Sequence, residues 1–495
     1  MKSKFSSILI LIVLSMAFQI SAQHRGDLLN FQGIDYVISE GYSSLSIGNA
    51  LTSANGNLQT MYYNPAGLVG LQKFQMSVGY SSHSLIWREN QRYRPNRQFA
   101  TLSFYLDGLY IPDPKNNNKW DYEVFQEDTN YHVEVPPYGL DEYSKEAADW
   151  QKEKKNSNWN QIVLGVPVNL FNRSWTVAGA VNRLPIFDYD RNDTYLTPHI
   201  STDQYNDIPP RVVGEQDSVR MNWYRFERMR EGDILTFRTA IATELFTNFD
   251  VGLGFKYLNG KSDDKLNLNK IGYFDLMGGY NQYKFSYDTS YTQDVGTSKY
   301  KGFGLSFGAS YRLEKISIGI NVDLPWTIKR EWEYTEEHDG QKTVLKGTNK
   351  VKIGGSYAAG ISIYPHDKLT MRLALRKNDY SANSYSFAIA DSTHRPWVDQ
   401  NVFAAAIEYR PFSWLQLTGN YEAFGEVFVP DGNGNDAQGP ASSVYSLGVS
   451  FWAYHSRIDF QFRRKVLKYS DIYFSNTNYN YFQRDILTVN YSFLF

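Results

Sequence analysis

Apolar and polar residues alternate along most of this chain with a period of two. Phe249, Val251, Leu253, Phe255 and Tyr257 are apolar, and Asp250, Gly252, Gly254 and Lys256 lie between them. The rhythm returns in Phe303, Leu305, Phe307, Ala309 and Tyr311, in Ile316, Ile318, Ile320 and Val322, and in Leu369, Met371, Leu373 and Leu375. A period of two sends successive side chains to opposite faces of a strand. Each stretch therefore predicts a strand with one greasy face and one small or polar face. A soluble sandwich alternates too, so the connections must arbitrate. Short breaks fall near residues 171–173, 246–248, 312–315, 365–367, 410–412 and 455–456. Between them run long polar connections at 83–158, 188–231, 260–300, 325–348, 380–400, 427–443 and 468–484. Six short turns alternating with seven long loops predict 14 strands. Short turns at one end and long loops at the other is the asymmetry of a transmembrane barrel. The pattern Phe99–Tyr105 falls outside this count and is assigned to a hairpin inside the first long loop.

The chain ends on the same alternation, with Leu487, Val489, Tyr491, Phe493 and Phe495 apolar. A last strand that stops on Phe resembles the insertion signal of bacterial outer-membrane barrels, which implies recognition by the barrel-assembly machinery. Closure is required because hydrocarbon leaves no backbone group unpaired without a cost of several kcal/mol. Tyr257, Tyr311, Trp326, Tyr364, Trp414 and Trp452 stand near predicted strand ends, where they suit the two interfacial girdles. The predicted fold class is all-β, a 14-stranded antiparallel transmembrane β-barrel.

Composition sharpens the compartment. The 495 residues include 38 Tyr, 30 Phe and 11 Trp, yet the mean hydropathy is −0.47, so the greasy residues occupy one face of a polar chain. No cysteine is present, which excludes disulfide scaffolds, cysteine nucleophiles, Cys-ligated metal and an N-terminal lipid anchor. The net charge of −2 argues against a nucleic-acid partner. Met1-Lys2-Ser3-Lys4, the apolar stretch 8–18 and the small residue Ala22 before Gln23 read as a signal peptide over residues 1–22. The competing reading is an uncleaved anchor, and the apolar run is shorter than the ~20 residues a spanning helix needs. Export to the Gram-negative outer membrane is the expectation.

About fifty residues separate Ala22 from the first clear strand at Phe74, Met76, Val78 and Tyr80. They contain Ser46-Ile47-Gly48-Asn49-Ala50 and then Asn64-Pro65-Ala66-Gly67-Leu68. This arrangement resembles the start of the FadL-type outer-membrane transporters, whose Asn-Pro-Ala-Gly motif precedes strand one of a 14-stranded barrel. The resemblance implies an N-terminal lumenal hatch over residues 23–71, with Asn64, Pro65, Ala66 and Gly67 in it, and a barrel over residues 72–495. Pro65 ends any preceding helix, and Gly67 permits a sharp turn into strand one. Where that family carries acidic residues upstream of the motif, this chain has Ser53-Ala54-Asn55-Gly56-Asn57. The resemblance also implies a side opening at strand three, residues 174–187, where Gly179 and Pro185 are the ladder breakers.

Two loop segments show helical spacing. Leu140, Tyr143, Ala147 and Trp150 predict an amphipathic helix in the first long loop, and Trp223, Phe226 and Met229 another in the second. By the same resemblance, Tyr143, Trp150, Trp223 and Phe226 would line an outer groove for a hydrophobic ligand; packing on the barrel's own rim is the alternative. Catalytic chemistry does not converge, since the eight His show no ligand spacing and no nucleophile stands with a base. An enzyme is not expected, nor any cofactor or metal. The run from Asp431 to Asp436 offers calcium-type oxygens, but Asp436 replaces the turn glycine and Ser442 the bidentate Glu. The expected function is passive uptake of hydrophobic compounds such as long-chain fatty acids, with a hydrophobic small molecule and outer-membrane lipid as partners. The alternative is a FadL-like barrel of the PorV type that serves protein secretion or surface attachment.

Overall fold

The computed structural model describes residues 34, 47–91, 140–170, 172–197, 218–277, 282–380, 384–386, 398–428, 430, 439–473 and 476–495. They form a closed antiparallel barrel of 14 strands. In chain order these are β1 (Gln75–Gln91), β2 (Trp150–Leu170), β3 (Arg173–Thr197), β4 (Ser218–Phe246), β5 (Phe249–Met277) and β6 (Gln282–Arg312). β7 comprises Ile316–Asp323 and Trp326–His338, both paired with β6. β8 comprises Gln341–Ile353 and Ser356–His366, and β9 comprises Leu369–Asn378 with Ser384–Ser386. β10 (Gln400–Phe412), β11 (Leu415–Gly425), β12 (Ala441–Ala453), β13 (Ser456–Tyr473) and β14 (Asn476–Leu494) complete the wall. β14 pairs with β1 from Gln75↔Leu494 to Gln91↔Asn478, and that pairing closes the cylinder.

The outward face of every strand near the short turns is apolar and exposed, as in Val78, Leu253, Phe307, Ile320, Leu373, Leu417 and Val489. Such a belt is stable only in lipid, and 9–11 residues per strand suffice to cross it. No described helix is long and apolar enough to cross a membrane. β4, β5 and β6 run 29, 29 and 31 residues, far more than the belt requires. On β5 the exposed apolar residues stop near Tyr257, leaving ~20 residues beyond it; at about 3.3 Å per residue they extend about 65 Å along the strand. Among the described residues β10, β11 and β12 run only 13, 11 and 13 residues, so β4 to β6 rise well above them.

Among the described residues, the connections expected at 260–300, 325–348 and 468–484 are largely strand, as are 188–197 and 218–231 of the connection expected at 188–231, and Asp339-Gly340 joins the two strands within 325–348. The two helices expected from Tyr143 and Trp150 and from Trp223 and Phe226 are not formed. Residues 141–147 make turns, Trp150 opens β2, and Trp223 and Phe226 lie within β4. The hairpin expected at 99–105 and the Asp431–Asp436 run lie outside the described residues.

The tall wall is held on its inner face by charge and hydroxyl groups. Asp264 on β5 accepts from Arg230 Nε at 2.8 Å, Ser262 Oγ at 2.8 Å and Tyr334 O–H at 2.6 Å. Burial alone would raise this carboxyl; Arg230 and Arg330 override it and hold the group well below the usual carboxylate range. Burial pushes the Tyr334 phenol up to about 12.

Candidate functional site

Residues 47–71 lie inside the cylinder as three 3-10 turns, Gly48–Ser53, Leu58–Tyr62 and Pro65–Leu68. Asn64 caps the third turn by accepting from Ala66 N at 3.1 Å, and Pro65 takes the first position, where no N–H is needed. Gly67 does not turn the chain. A Cβ there would stand 2.3 Å from the Ala54 carbonyl oxygen, so Gly67 allows a close approach between turns. The left-handed positions of the segment are Gly48, Gly56 and Gly70, and Gly70, just after the third turn, redirects the chain toward β1.

The wall accommodates this segment with glycine. An added Cβ at Gly252 would meet Ala66 N at 2.4 Å, at Gly308 Asn64 Oδ1 at 2.0 Å, and at Gly319 the Thr52 oxygen at 2.0 Å. Gly252 is paired with Gly308, and Gly319 with Gly360, so the row crosses β5 to β8. Polar ties complete the seat. Asn49 N donates to Glu422 at 2.7 Å, Ser53 and Ser362 share a bond of 2.7 Å, and Asn55 Nδ2 donates to Ser317 at 2.6 Å. Tyr62 O–H donates to Asn182 at 3.1 Å.

The wall around the segment mixes apolar and charged inward groups, with Arg238 over the Tyr62 ring at 5.2 Å and Arg376 over that of Tyr63 at 5.9 Å. Leu51, Leu58, Met61 and Leu68 pack with inward residues of the wall, among them Val163, Ile186, Ile234, Ile328 and Val351. Farther out, Leu85 and Trp87 of β1 gather with Phe187, Tyr189, Leu467, Tyr469 and Phe482. The Trp87 ring stands 5.7 Å from Phe482 and 6.4 Å from Tyr189.

The β2–β3 ladder runs from Leu170↔Arg173 to Gln161↔Asn182 and stops there, although both strands continue. A bulge between Gly79 and Tyr80 shifts the β1–β2 register by one residue, which turns Trp150, Lys152, Lys154 and Asn158 inward. Phe187 and Tyr189 share the outward parity of Val177, yet are only 6% and 8% exposed. They are covered by β2: Trp150 packs edge-on against Tyr189 at 5.3 Å, and Lys154 Nζ stands 5.3 Å from the Phe187 ring. β2 therefore overlaps β3 from outside. Side chains bridge the overlap, with Arg183 of β3 donating to Asn158 of β2 at 3.2 Å and Lys154 of β2 paired with Glu231 of β4 at 2.8 Å. Gly179 sits inside the intact ladder, opposite Leu164, and breaks nothing. Pro185 lies three residues beyond the ladder's end, where a residue without N–H is admitted.

Of the four residues expected in the outer groove, the side chains of Tyr143 and Trp150 are described, and they face different neighbours. Tyr143 packs edge-on against Tyr479 at 5.5 Å, on the outside of β14, whereas Trp150 belongs to the overlap. The side chains of Trp223 and Phe226 lie outside the described residues. Trp326, expected in a girdle, is buried inside with Lys256 Nζ 4.1 Å from its ring. Trp452 carries Arg410 and Arg457 over its ring at 4.5 and 4.7 Å. Sequence reasoning missed Leu85, Trp87, Leu467 and Phe482 as lumen residues, although each breaks the polar parity of its own strand.

No protein-family model matches the chain, and no curated protein matches it. Solved structures do. The chain is similar to a FadL homologue of Pseudomonas aeruginosa (TM-score 0.54, 11% identity, 89% of this chain and 95% of that one). It is similar to the P. putida toluene transporter TodX (TM-score 0.55, 10% identity, 92% and 99%). At these identities the likeness establishes the fold, a FadL-type 14-stranded barrel.

Proposed function

We propose that the protein is an outer-membrane channel for passive uptake of hydrophobic compounds, with residues 23–71 as a displaceable hatch. The observation that carries this reading is the pair of apolar clusters inside the barrel, one at Leu85, Trp87 and Phe482 and one around Leu51 and Leu68. A general porin keeps its lumen polar. A hydrophobic molecule that enters from the outer end partitions onto these clusters and displaces the segment by binding the displaced state better. The β2–β3 overlap, bridged by side chains instead of a ladder, is the exit toward lipid. The P. putida relative in fold is a toluene transporter, and monoaromatic hydrocarbons stand beside long-chain fatty acids as ligand classes to assay.

A second reading, a PorV-type role in protein secretion or surface attachment, is favoured by the tall wall of β3 to β8. One cross-link separates the two. Ser53 Oγ and Ser362 Oγ are 2.7 Å apart, close to the ~2.0 Å of a disulfide, and the chain has no other cysteine. The oxidised Ser53→Cys/Ser362→Cys barrel, reconstituted in liposomes, should take up a hydrophobic probe far more slowly than the reduced form. Equal rates in both forms would sink the hatch and favour the secretion reading.

A further inference from the structure

Directly beyond the lipid-facing belt, on the outer side of the tall wall, six lysines share one face. They are Lys261 on β5, Lys299 and Lys301 on β6, Lys329 on β7, and Lys350 and Lys352 on β8. Their registers set like charge against like: Lys299 is opposite Lys261, and Lys329 is opposite both Lys301 and Lys350. Side chains directly opposite stand ~5 Å apart at Cβ, and like charges there are destabilising. Lys299, Lys301, Lys350 and Lys352 have no acidic partner within 4.0 Å among the described residues, while Lys329 and Lys261 reach only Glu331 and Asp263 of their own strands. Glu331 registers the field. A hydrogen bond from Lys329, with Lys301 and Lys299 nearby, holds its carboxyl below the usual range.

Position supplies the missing anion. On β6 the exposed Phe303 is followed on the same face by Lys301 and Lys299, so the first ammonium stem rises only about 7 Å above the last lipid-facing ring. That is headgroup depth. The opposite side of the barrel is different: there Arg464 is neutralised by Asp485 at 2.7 Å. We propose that this lysine face binds the phosphates of a phosphorylated glycolipid of the outer leaflet, and so fixes the tall wall upright at the membrane surface. The four strands span about 15 Å at about 4.8 Å spacing, wide enough for two phosphates on one sugar headgroup. The assignment rests on the outer-membrane reading for which leaflet the long ends meet.

The test titrates the purified barrel, in neutral detergent, with micelles containing bis-phosphorylated lipid A, and counts bound lipid by native mass spectrometry. Wild type should bind, less tightly as salt rises. Lys299→Gln/Lys301→Gln/Lys350→Gln/Lys352→Gln should lose about tenfold or more in affinity, the order expected of several lysines at an anionic surface. The matching Lys→Arg set should retain binding. Phosphatidylglycerol at equal charge should bind more weakly. Full retention by the Gln variant, or equal binding of phosphatidylglycerol, overturns the proposal. If the Gln variant does not assemble, absence of salt dependence in wild type overturns it. Uptake of a hydrophobic probe is read separately: lipid A binding without uptake defeats the channel reading and leaves the lysine face standing.

Discussion

Replacing Gly308 by Val should unseat the N-terminal segment without opening the barrel wall. Gly308 faces the lumen on β6, and a Cβ there would stand 2.0 Å from Asn64 Oδ1, 2.8 Å from Pro65 Cδ and 3.0 Å from Ala66 N. Asn64 cannot swing aside cheaply, because it donates to Thr52 O at 2.8 Å and Ala309 O at 3.2 Å while capping the third turn. Overpacking costs about 1–3 kcal/mol, a lost cap about 1 and each released hydrogen bond about 1. The penalty overlaps among these, and about 3 kcal/mol against the seated state is the resulting scale, or about two powers of ten in population. The barrel itself is spared, since Gly308 is held to Gly252 and Asn321 through the backbone ladder. The control is Gly179→Val on β3, where the nearest atoms to an added Cβ are 3.9 Å away. Planar-bilayer conductance and protease access to residues 47–71 should both rise for Gly308→Val and stay at wild-type values for Gly179→Val. Unchanged conductance in a Gly308→Val barrel that still shows heat-dependent SDS mobility would refute the seating argument.

Two further outcomes are expected. Asp294 on β6 has a buried carboxylate oxygen without a hydrogen-bond partner, and burial together with Glu336 opposite it raises its pKa to about 6. The folded wall therefore binds this proton more tightly than the unfolded chain, and its stability should rise as pH falls from about 6 toward 4. For a fully shielded group the displacement would be worth about 3 kcal/mol; solvent at the half-buried carboxyl reduces it to about 1 kcal/mol. Asp294→Asn should slow hydrogen exchange in the β6–β7 hairpin at pH 7 and flatten its dependence between pH 4 and 6, and an unaltered slope would count against this. Phe495 N–H donates to Phe74 O at 3.0 Å, and its ring stands 4.3 Å from Phe493. A lysine at this end of the wall costs only about 0–1 kcal/mol in equilibrium stability near an interface. Phe495→Lys should therefore lower the yield of assembled barrel in cells while leaving uptake per barrel unchanged, and wild-type yield would end the idea that the terminal aromatic guides insertion.

Strand number was legible because the belt imposes a strict rule. Every crossing of lipid demands an apolar outward face, and Phe249 to Tyr257 or Leu487 to Phe495 announce that face without any knowledge of neighbours. Beyond the belt the demand lapses. Residues 260–300 read as loop because their outward positions carry Lys261, Lys299 and Lys301 instead of Phe and Leu, although the backbone continues as strand through Met277 and from Gln282. The polarity of a strand standing in water is the polarity of a loop. The spacing of Leu140, Tyr143, Ala147 and Trp150 misled for a related reason: the four answer to different surfaces, Tyr143 to the outside of β14 and Trp150 to Tyr189.

The exit proposed through the wall is hidden from the sequence by register. The family resemblance points to strand three, with Gly179 and Pro185 as ladder breakers, but neither stands at the end of the β2–β3 ladder. One extra residue opposite Gly79 and Tyr80 does the work of reorientation. Because side chains alternate, a slip of one residue turns the whole outer half of β2 over. Trp150, Lys152, Lys154 and Asn158 then face inward, and they meet the outward-parity face of β3 at Phe187, Tyr189 and Arg183. The two edges pass each other as layers instead of joining as a ladder. A lateral passage built this way needs no missing residue in either strand; it needs only that the contacts between layers be side chains, each of which releases for far less than a run of backbone hydrogen bonds. Tyr62 of the inner segment donates to Asn182, the last β3 residue in that ladder. Under the proposed function, movement of the segment and loosening of the overlap act on the same residue, which would couple entry into the lumen to exit through its side.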